Sequence, residues 1–266
     1  MQLRGCTGIY SRRILILQAV SNCSKIYNYM KTAILQSNFL PWKGYFDIIN
    51  QVDLFILFDD AQFTKNDWRN RNVIKTNKGL QWLSVPVHHT GRFGQKICET
   101  ETLCSNWAEK HIKTIQMSYA RSPYFDQIFP CFKEWYTQSS KEKLLSRVNY
   151  IFIRGICELL GITTSIAWSM DYKLIPGKSE RLLDLCMQVG ATEYLTGPSA
   201  SNYLNTDIFR KQGITVHWMS YEGYPEYNQL FPPFYHNVSI LDLLMNCGSE
   251  QAGSYMLSLK TNVQFA

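Results

Sequence analysis

No apolar run in this 266-residue chain approaches the ~20 residues needed to cross a bilayer, so nothing in it reads as a membrane span. Charge is scarce at 18%, against 45% hydrophobic and 14% aromatic residues, which describes an ordinary globular protein with ample core. Cysteine is frequent, with 8 residues, yet no CxxC pair or Cys/His cluster occurs. That absence argues against a zinc site or a disulfide framework, and for buried thiols in a reduced, cytoplasmic protein. The sequence also lacks GxxxxGK[ST], GxGxxG and GxSxG, which removes the usual P-loop, dinucleotide and nucleophile-elbow signatures. Histidine is sparse at 5, and spacing supplies the His88-His89 pair with no third metal ligand.

Basic charge is present but unevenly placed. The formal net charge is +6, from 27 basic and 21 acidic residues. Arg4, Arg12, Arg13 and Lys25 fall in residues 1–29, which hold no acid, so 23 bases face 21 acids in the remainder, a net +2. A near-neutral body lacks the dense basic stripe that phosphate backbones require, and nucleic acid is not an expected partner. Arg12-Arg13 before a short apolar stretch faintly resembles a signal peptide, but Gln18 interrupts it and no small-residue cleavage pattern follows. Residues 1–29 are read as a leader or flexible extension, with the functional protein starting near Met30.

The expected fold is a single α/β domain over residues 30–248, followed by a C-terminal tail over 249–266. Residues 32–35 read as a buried strand, 42–51 as a helix and 54–58 as a second strand. The link between the strands is too long for a hairpin, so they are parallel. Residues 73–76, a turn at 77–79 and 80–87 read as a β-hairpin, with Pro86 at an edge or a strand end. A helical stretch follows, whose clearest member starts at Ser139 with Glu142 completing a capping box. Alternation then returns: strands at 164–169, 193–196 and 214–219, and helices at 181–189, 203–212 and 239–247. The sum is a Rossmann-like parallel sheet layer with a β-hairpin and a helical insertion.

Two strand ends carry the chemistry. The first leads into Gln36-Ser-Asn-Phe-Leu-Pro-Trp-Lys-Gly-Tyr-Phe-Asp47, and the second into Asp59-Asp-Ala-Gln-Phe-Thr-Lys65 and Trp68-Arg-Asn-Arg-Asn72. Loops at strand ends converge on ligands without disturbing the core. Asp59 and Asp60 are candidate bases or Mg²⁺ ligands, with Lys65 as a further catalytic candidate; the alternative is a solvated turn. Arg69 and Arg71 offer guanidinium forks to a carboxylate or phosphate. Asn38, Gln62, Asn70 and Asn72 can orient an amide or a sugar, beside Trp42, Gly44, Tyr45 and Trp68. Gly197-Pro-Ser-Ala-Ser-Asn-Tyr203 lies between a strand and a helix. There Gly197 permits close approach, and Ser199, Ser201 and Asn202 can join free helix N-terminal amides in holding an anion, with Tyr203 a further binding candidate; simple N-capping is the plainer alternative. Tyr227 and Gln229 are candidates for stacking on, and bonding to, a sugar or base.

These segments, with Trp82-Leu-Ser-Val-Pro86, Tyr194-Leu-Thr-Gly197, Tyr203-Leu and Ser239-Ile-Leu-Asp-Leu-Leu-Met-Asn-Cys-Gly248, resemble the WbqC-like protein family of bacteria. The resemblance runs in order from about Met30 to about Gly248. It implies a role near surface-polysaccharide synthesis, with a sugar or nucleotide sugar as ligand, and it transfers no reaction or cofactor. One expectation is an enzyme that transfers an acyl, aminoacyl or nucleotidyl group; the other is a noncatalytic sugar-nucleotide or partner-binding protein. A fainter resemblance is to HIGH-motif nucleotidyltransferases and pantoate ligases, whose His-x-Gly-His signature has a location comparable to that of Trp42-Lys-Gly-Tyr45. Gly44 is retained and both histidines are absent, leaving Lys43 or Arg69 as substitute cations.

Overall fold

The computed structural model describes residues 29–103 and 106–259. The leader assigned to residues 1–29 therefore lies outside the described residues except for Tyr29. Short β-branched and aromatic runs form five strands, β1 (Lys31–Leu35), β2 (Leu54–Leu57), β5 (Ser165–Trp168), β6 (Glu193–Thr196) and β7 (Thr215–Trp218). They pair in parallel in the order β5-β2-β1-β6-β7. The chain builds outward from β1 to β2 and β5, then jumps back to the other side of β1 for β6 and β7. The strand order thus reverses between β1 and β6. A separate antiparallel hairpin, β3 (Arg71–Thr76) and β4 (Gly79–Ser84), interrupts the sequence after β2.

Side-chain alternation explains why the sheet is covered on both faces. Ala33, Phe55, Leu57 and Leu195 point into one core with Tyr45, Phe46, Ile48 and Ile49 of α1 (Lys43–Asn50). The same core takes the insertion helices α2 (Trp107–Tyr119), α3 (Phe125–Ser139) and α4 (Leu145–Leu159), and α7 (Ile240–Ala252). Ile34, Leu54, Ile56 and Tyr194 point the other way, against Leu182, Leu185 and Cys186 of α5 (Ser179–Gln188) and Phe209 of α6 (Thr206–Lys211). This matches the expected Rossmann-like layer with a hairpin and a helical insertion. The described cysteines are free thiols, and Cys157, Cys186 and Cys247 are buried.

Two sequence expectations are corrected. Ser139 does not cap a helix: it is the last residue of α3, and α4 begins at Leu145 with no side-chain cap. Tertiary pairing sets that start, because the Leu145 amide donates to the Thr100 carbonyl at 2.8 Å. The helix expected at 203–212 begins at Thr206, capped by Asn205, after a 3-10 turn over Pro198–Asn202. The helix expected at 239–247 does break at Gly248 (φ +74°, ψ 167°), and a second helical stretch follows the kink as far as Ala252; beyond it Met256 is fully buried. The amides of Leu257 and Ser258 then donate to the Asp47 carboxylate at 3.0 and 2.8 Å.

A second buried carboxylate fixes the loop between β7 and α7. Asp242 accepts hydroxyl hydrogens from Tyr119 at 2.8 Å and Tyr227 at 2.7 Å. Burial raises the Asp242 pKa, and the two hydroxyls oppose that rise. Asp242→Ala strands two buried tyrosine hydroxyls and is expected to lower stability by about 3 kcal/mol, against about 1 kcal/mol for Tyr227→Phe. Urea unfolding of the two variants measures the difference, and equal losses would refute the shared-acceptor reading.

Candidate functional site

The carboxyl ends of β1 and β6 flank the point where strand order reverses, which is where open parallel sheets bind ligands. A cleft of about 480 Å³ opens there. Its floor is Leu35, Gln36 and Thr196, and its walls include Arg69, the start of α5 at Lys178 and Arg181, and the Gly197-Pro198-Ser199 turn. Three cations line the cleft and no carboxylate does. Arg181 is oriented by two bonds, to the Asp60 carboxylate at 3.2 Å and to the Ile175 carbonyl at 2.8 Å. Lys178 is exposed. Ser179 braces the two walls: its hydroxyl donates to the Tyr203 carbonyl at 3.3 Å and accepts from the Asn205 amide at 2.9 Å. A Cβ built on Gly197 would meet only the Tyr221 hydroxyl, at 3.5 Å, so glycine leaves open cleft volume here.

Beneath the cleft lies a polar knot. Asp59 is fully buried, and one carboxylate oxygen accepts from the Ser37 amide at 2.8 Å, joining the chain just past β1 to the chain just past β2. Asn149 of α4 donates to the Ser37 hydroxyl and to the Arg69 carbonyl, both at 2.9 Å. The other Asp59 oxygen has no hydrogen-bond partner among the described residues. Burial pushes the Asp59 carboxyl up to about 6, against the lowering effects of Ser37 and the Arg69 charge. Burial likewise lowers the pKa of Arg69, whose guanidinium donates to the Asn38 side-chain oxygen.

A second cleft of about 330 Å³ adjoins this knot, lined by Asn38, Pro41, Trp42, Trp68, Asn72 and Asn237. Two contacts form the partition between the clefts. Arg69 lines the first and bonds Asn38 of the second, while Tyr221 of the first meets Trp42 of the second edge-on at 5.0 Å.

The residues expected at the site separate into distinct groups. Arg69, Gly197, Ser199 and Tyr203 line the first cleft; Asn38, Trp42, Trp68 and Asn72 line the second. Asp59 and Asp60 reach neither surface, being 0% and 5% exposed, so neither is presented as an open base. Lys65 and Gln62 are exposed and line neither cleft. Among the described residues no group of three or more His, Cys, Asp and Glu gathers as a metal-binding set.

Several of the others hold the scaffold. The Tyr45 hydroxyl donates to the Gln36 carbonyl at 3.0 Å, and Asn70 donates to the Val85 carbonyl at 2.9 Å. Gly44 lets the Trp42 ring lie over α1, since a Cβ would fall 2.3 Å from that ring. Asn72 donates to the Phe39 and Leu40 carbonyls at 3.2 and 2.7 Å, fixing Leu40 in the left-handed region at φ +44°. Arg71 lies over the Trp82 ring at 4.2 Å. Ser201 bonds back to the Pro198 carbonyl at 2.7 Å. Tyr227 is committed to Asp242, and Gln229 accepts from Lys75 at 2.7 Å, so neither is free to hold a sugar or base.

Lys178 and Arg181 were missed as site residues. Their signal was the cation-bearing turn Pro176-Gly-Lys-Ser-Glu-Arg181 at the start of α5.

The architecture is that of a Rossmann-like protein with a cationic crevice at its switch point. A model of the WbqC-like protein family matches residues 36–253, and the chain belongs to that family. It is 48% identical over 220 residues to the uncharacterised protein Rv1507c of Mycobacterium tuberculosis, covering 83% of this chain and 95% of the relative. No solved structure matches it.

The Asp59 pKa carries a stability prediction. The folded value, about 6, lies above the ordinary 3.8, so the unfolded chain gives up this proton first as pH rises. Stability contributed by the protonated carboxyl is full below about pH 4 and is lost as pH rises through about 6. Relative to the native protein, Asp59→Asn should therefore gain about 2–3 kcal/mol between pH 4 and pH 7.5. Denaturant titrations at the two pH values test this, and parallel pH dependences for the two proteins would rule it out.

Proposed function

We propose that this protein is a transferase of bacterial glycan-precursor metabolism. In this reading it holds a phosphate-bearing, nucleotide-like substrate in the switch-point cleft and moves an acyl, aminoacyl or nucleotidyl group to or from a sugar-like molecule. The observation that carries it is the charge of that cleft: Arg69, Lys178 and Arg181 line it without a carboxylate among the lining residues. Guanidinium groups match phosphate oxygens in bidentate geometry, and a low-dielectric wall strengthens the attraction. The open space above Gly197 lets a ligand approach the backbone closely.

One observation favours the alternative, a noncatalytic protein that presents a sugar nucleotide to a partner. The first cleft is lined by hydroxyls of Tyr194, Thr196, Ser199, Tyr203 and Tyr221, and none of these is a ready base near neutral pH. Burial pushes the Tyr221 hydroxyl to about 12, with the Asp47 charge adding to it. Both acidic candidates are closed off below.

Thermal-shift screening of pyrophosphate, nucleotides and nucleotide sugars should find a stabilising ligand by mass action. Lys178→Gln and Arg181→Gln should each weaken pyrophosphate binding about 10-fold or more by calorimetry, because each removes a charge-assisted hydrogen bond. Unchanged affinity in both variants would defeat the anion reading. Binding of a nucleotide sugar with no product detected by mass spectrometry would decide for the noncatalytic alternative.

A further inference from the structure

We infer that the second cleft is a subsite for an uncharged, hydroxyl-rich ring of pyranose type, placed beside the anion site and separated from it by the Arg69–Asn38 and Trp42–Tyr221 contacts. The inference rests on the reading of the first cleft as the phosphate-holding half. No residue lining the second cleft carries a charge: three are asparagines, two are tryptophans and one is proline. Such a lining offers a phosphate no counter-charge and suits a ligand with an apolar C–H face and several hydroxyls.

The polar groups on offer follow from what each amide already does. An arginine only donates, so Asn38 must turn its oxygen to Arg69, which leaves its Nδ2 group free of protein partners among the described residues. Asn237 is exposed, and its side chain makes no hydrogen bond among the described residues. The Asn72 amide, by contrast, is consumed by Phe39, Leu40 and Val73, so it shapes the wall and does not bind. The Asn38 Nδ2 donor and the whole Asn237 amide together supply both donors and an acceptor, the pattern that ring hydroxyls need.

The aromatic groups offer the apolar surface that a sugar ring needs. Trp68 is 43% exposed, unusual for so large an apolar ring. Its neighbour Trp82 lies 5.4 Å away, centroid to centroid and tilted 35°, and Arg71 covers Trp82 at 4.2 Å. A ring inserted between the two indoles would need about 7 Å, twice an ordinary stacking contact, and that space is absent. What remains is the exposed part of Trp68, in a cleft that also holds Trp42 and the free amide groups. A pyranose can rest on such an indole through its C–H face.

Saturation-transfer NMR and tryptophan fluorescence on the full chain test this with the methyl glycosides of glucose, galactose, mannose and N-acetylglucosamine, beside adenosine and uridine as competitors. At least one glycoside should bind at millimolar concentration. Trp68→Ala and Asn237→Ala should each weaken it about 10-fold or more while leaving the melting temperature and pyrophosphate affinity unchanged. Trp218→Ala, an exposed tryptophan on β7, should bind the glycoside as the native protein does. The proposal falls if no glycoside binds, if Trp68→Ala binds as well as native, or if a nucleoside displaces the glycoside with higher affinity. Loss of pyrophosphate binding with glycoside binding retained would instead remove the anion reading of the first cleft and leave the sugar subsite standing.

Discussion

The hydrogen bond from the Ser37 amide to the Asp59 carboxylate is the constraint on which the crevice depends. It fastens together two chains at the point where each leaves the sheet and becomes irregular. Loops at such places have no ladder to hold them, and their backbone groups must find partners elsewhere. Asn149, delivered from the helical insertion, joins Ser37 to the Arg69 carbonyl and so brings a third segment into the same knot. The loop after β1 then carries Asn38 and Trp42, and the chain after β2 carries Arg69, each aimed at a cleft. Burying a carboxylate with one oxygen unpaired opposes folding, as its raised pKa records. The benefit is geometric: three separate stretches of chain hold one arrangement.

The layered fold was legible because burial imposes periodicity. The alternation of Ala33 and Ile34, or of Phe55 and Ile56, divides one strand between two cores, and such runs read as strands without tertiary knowledge. Element starts were less legible where a distant partner sets them. Leu145 begins its helix because its amide meets Thr100, a contact that no local capping pattern around Ser139 encodes.

The site was legible as a place more than as a set of roles. Residue chemistry marked Asp59, Asn72, Tyr227 and Gln229 as groups that could hold a ligand, and each has the hydrogen-bonding capacity for it. Whether such a group faces solvent or the interior depends on loop trajectory, which has no periodic signature. Asn72 shows the point plainly: the amide that could grip a sugar grips the strained Leu40 turn. Lys178 and Arg181 escaped notice for the opposite reason. Cations at the start of an exposed helix look like ordinary surface until the sheet order places that helix over the switch point.

The Asp47 carboxylate links the first helix of the fold to nearly the last described residues, reaching the Leu257 and Ser258 amides 210 and 211 positions away. During synthesis, Asp47 leaves the ribosome long before those amides exist. The N-terminal half emerges with a charged group destined for burial, and with β1 still lacking β6, its neighbour across the crevice. Contacts of such long sequence separation slow folding and expose apolar surface meanwhile. The fold thus closes only when its end returns to its beginning, and a ribosome stalled late would display a nearly finished, unlatched chain to the cell's chaperones.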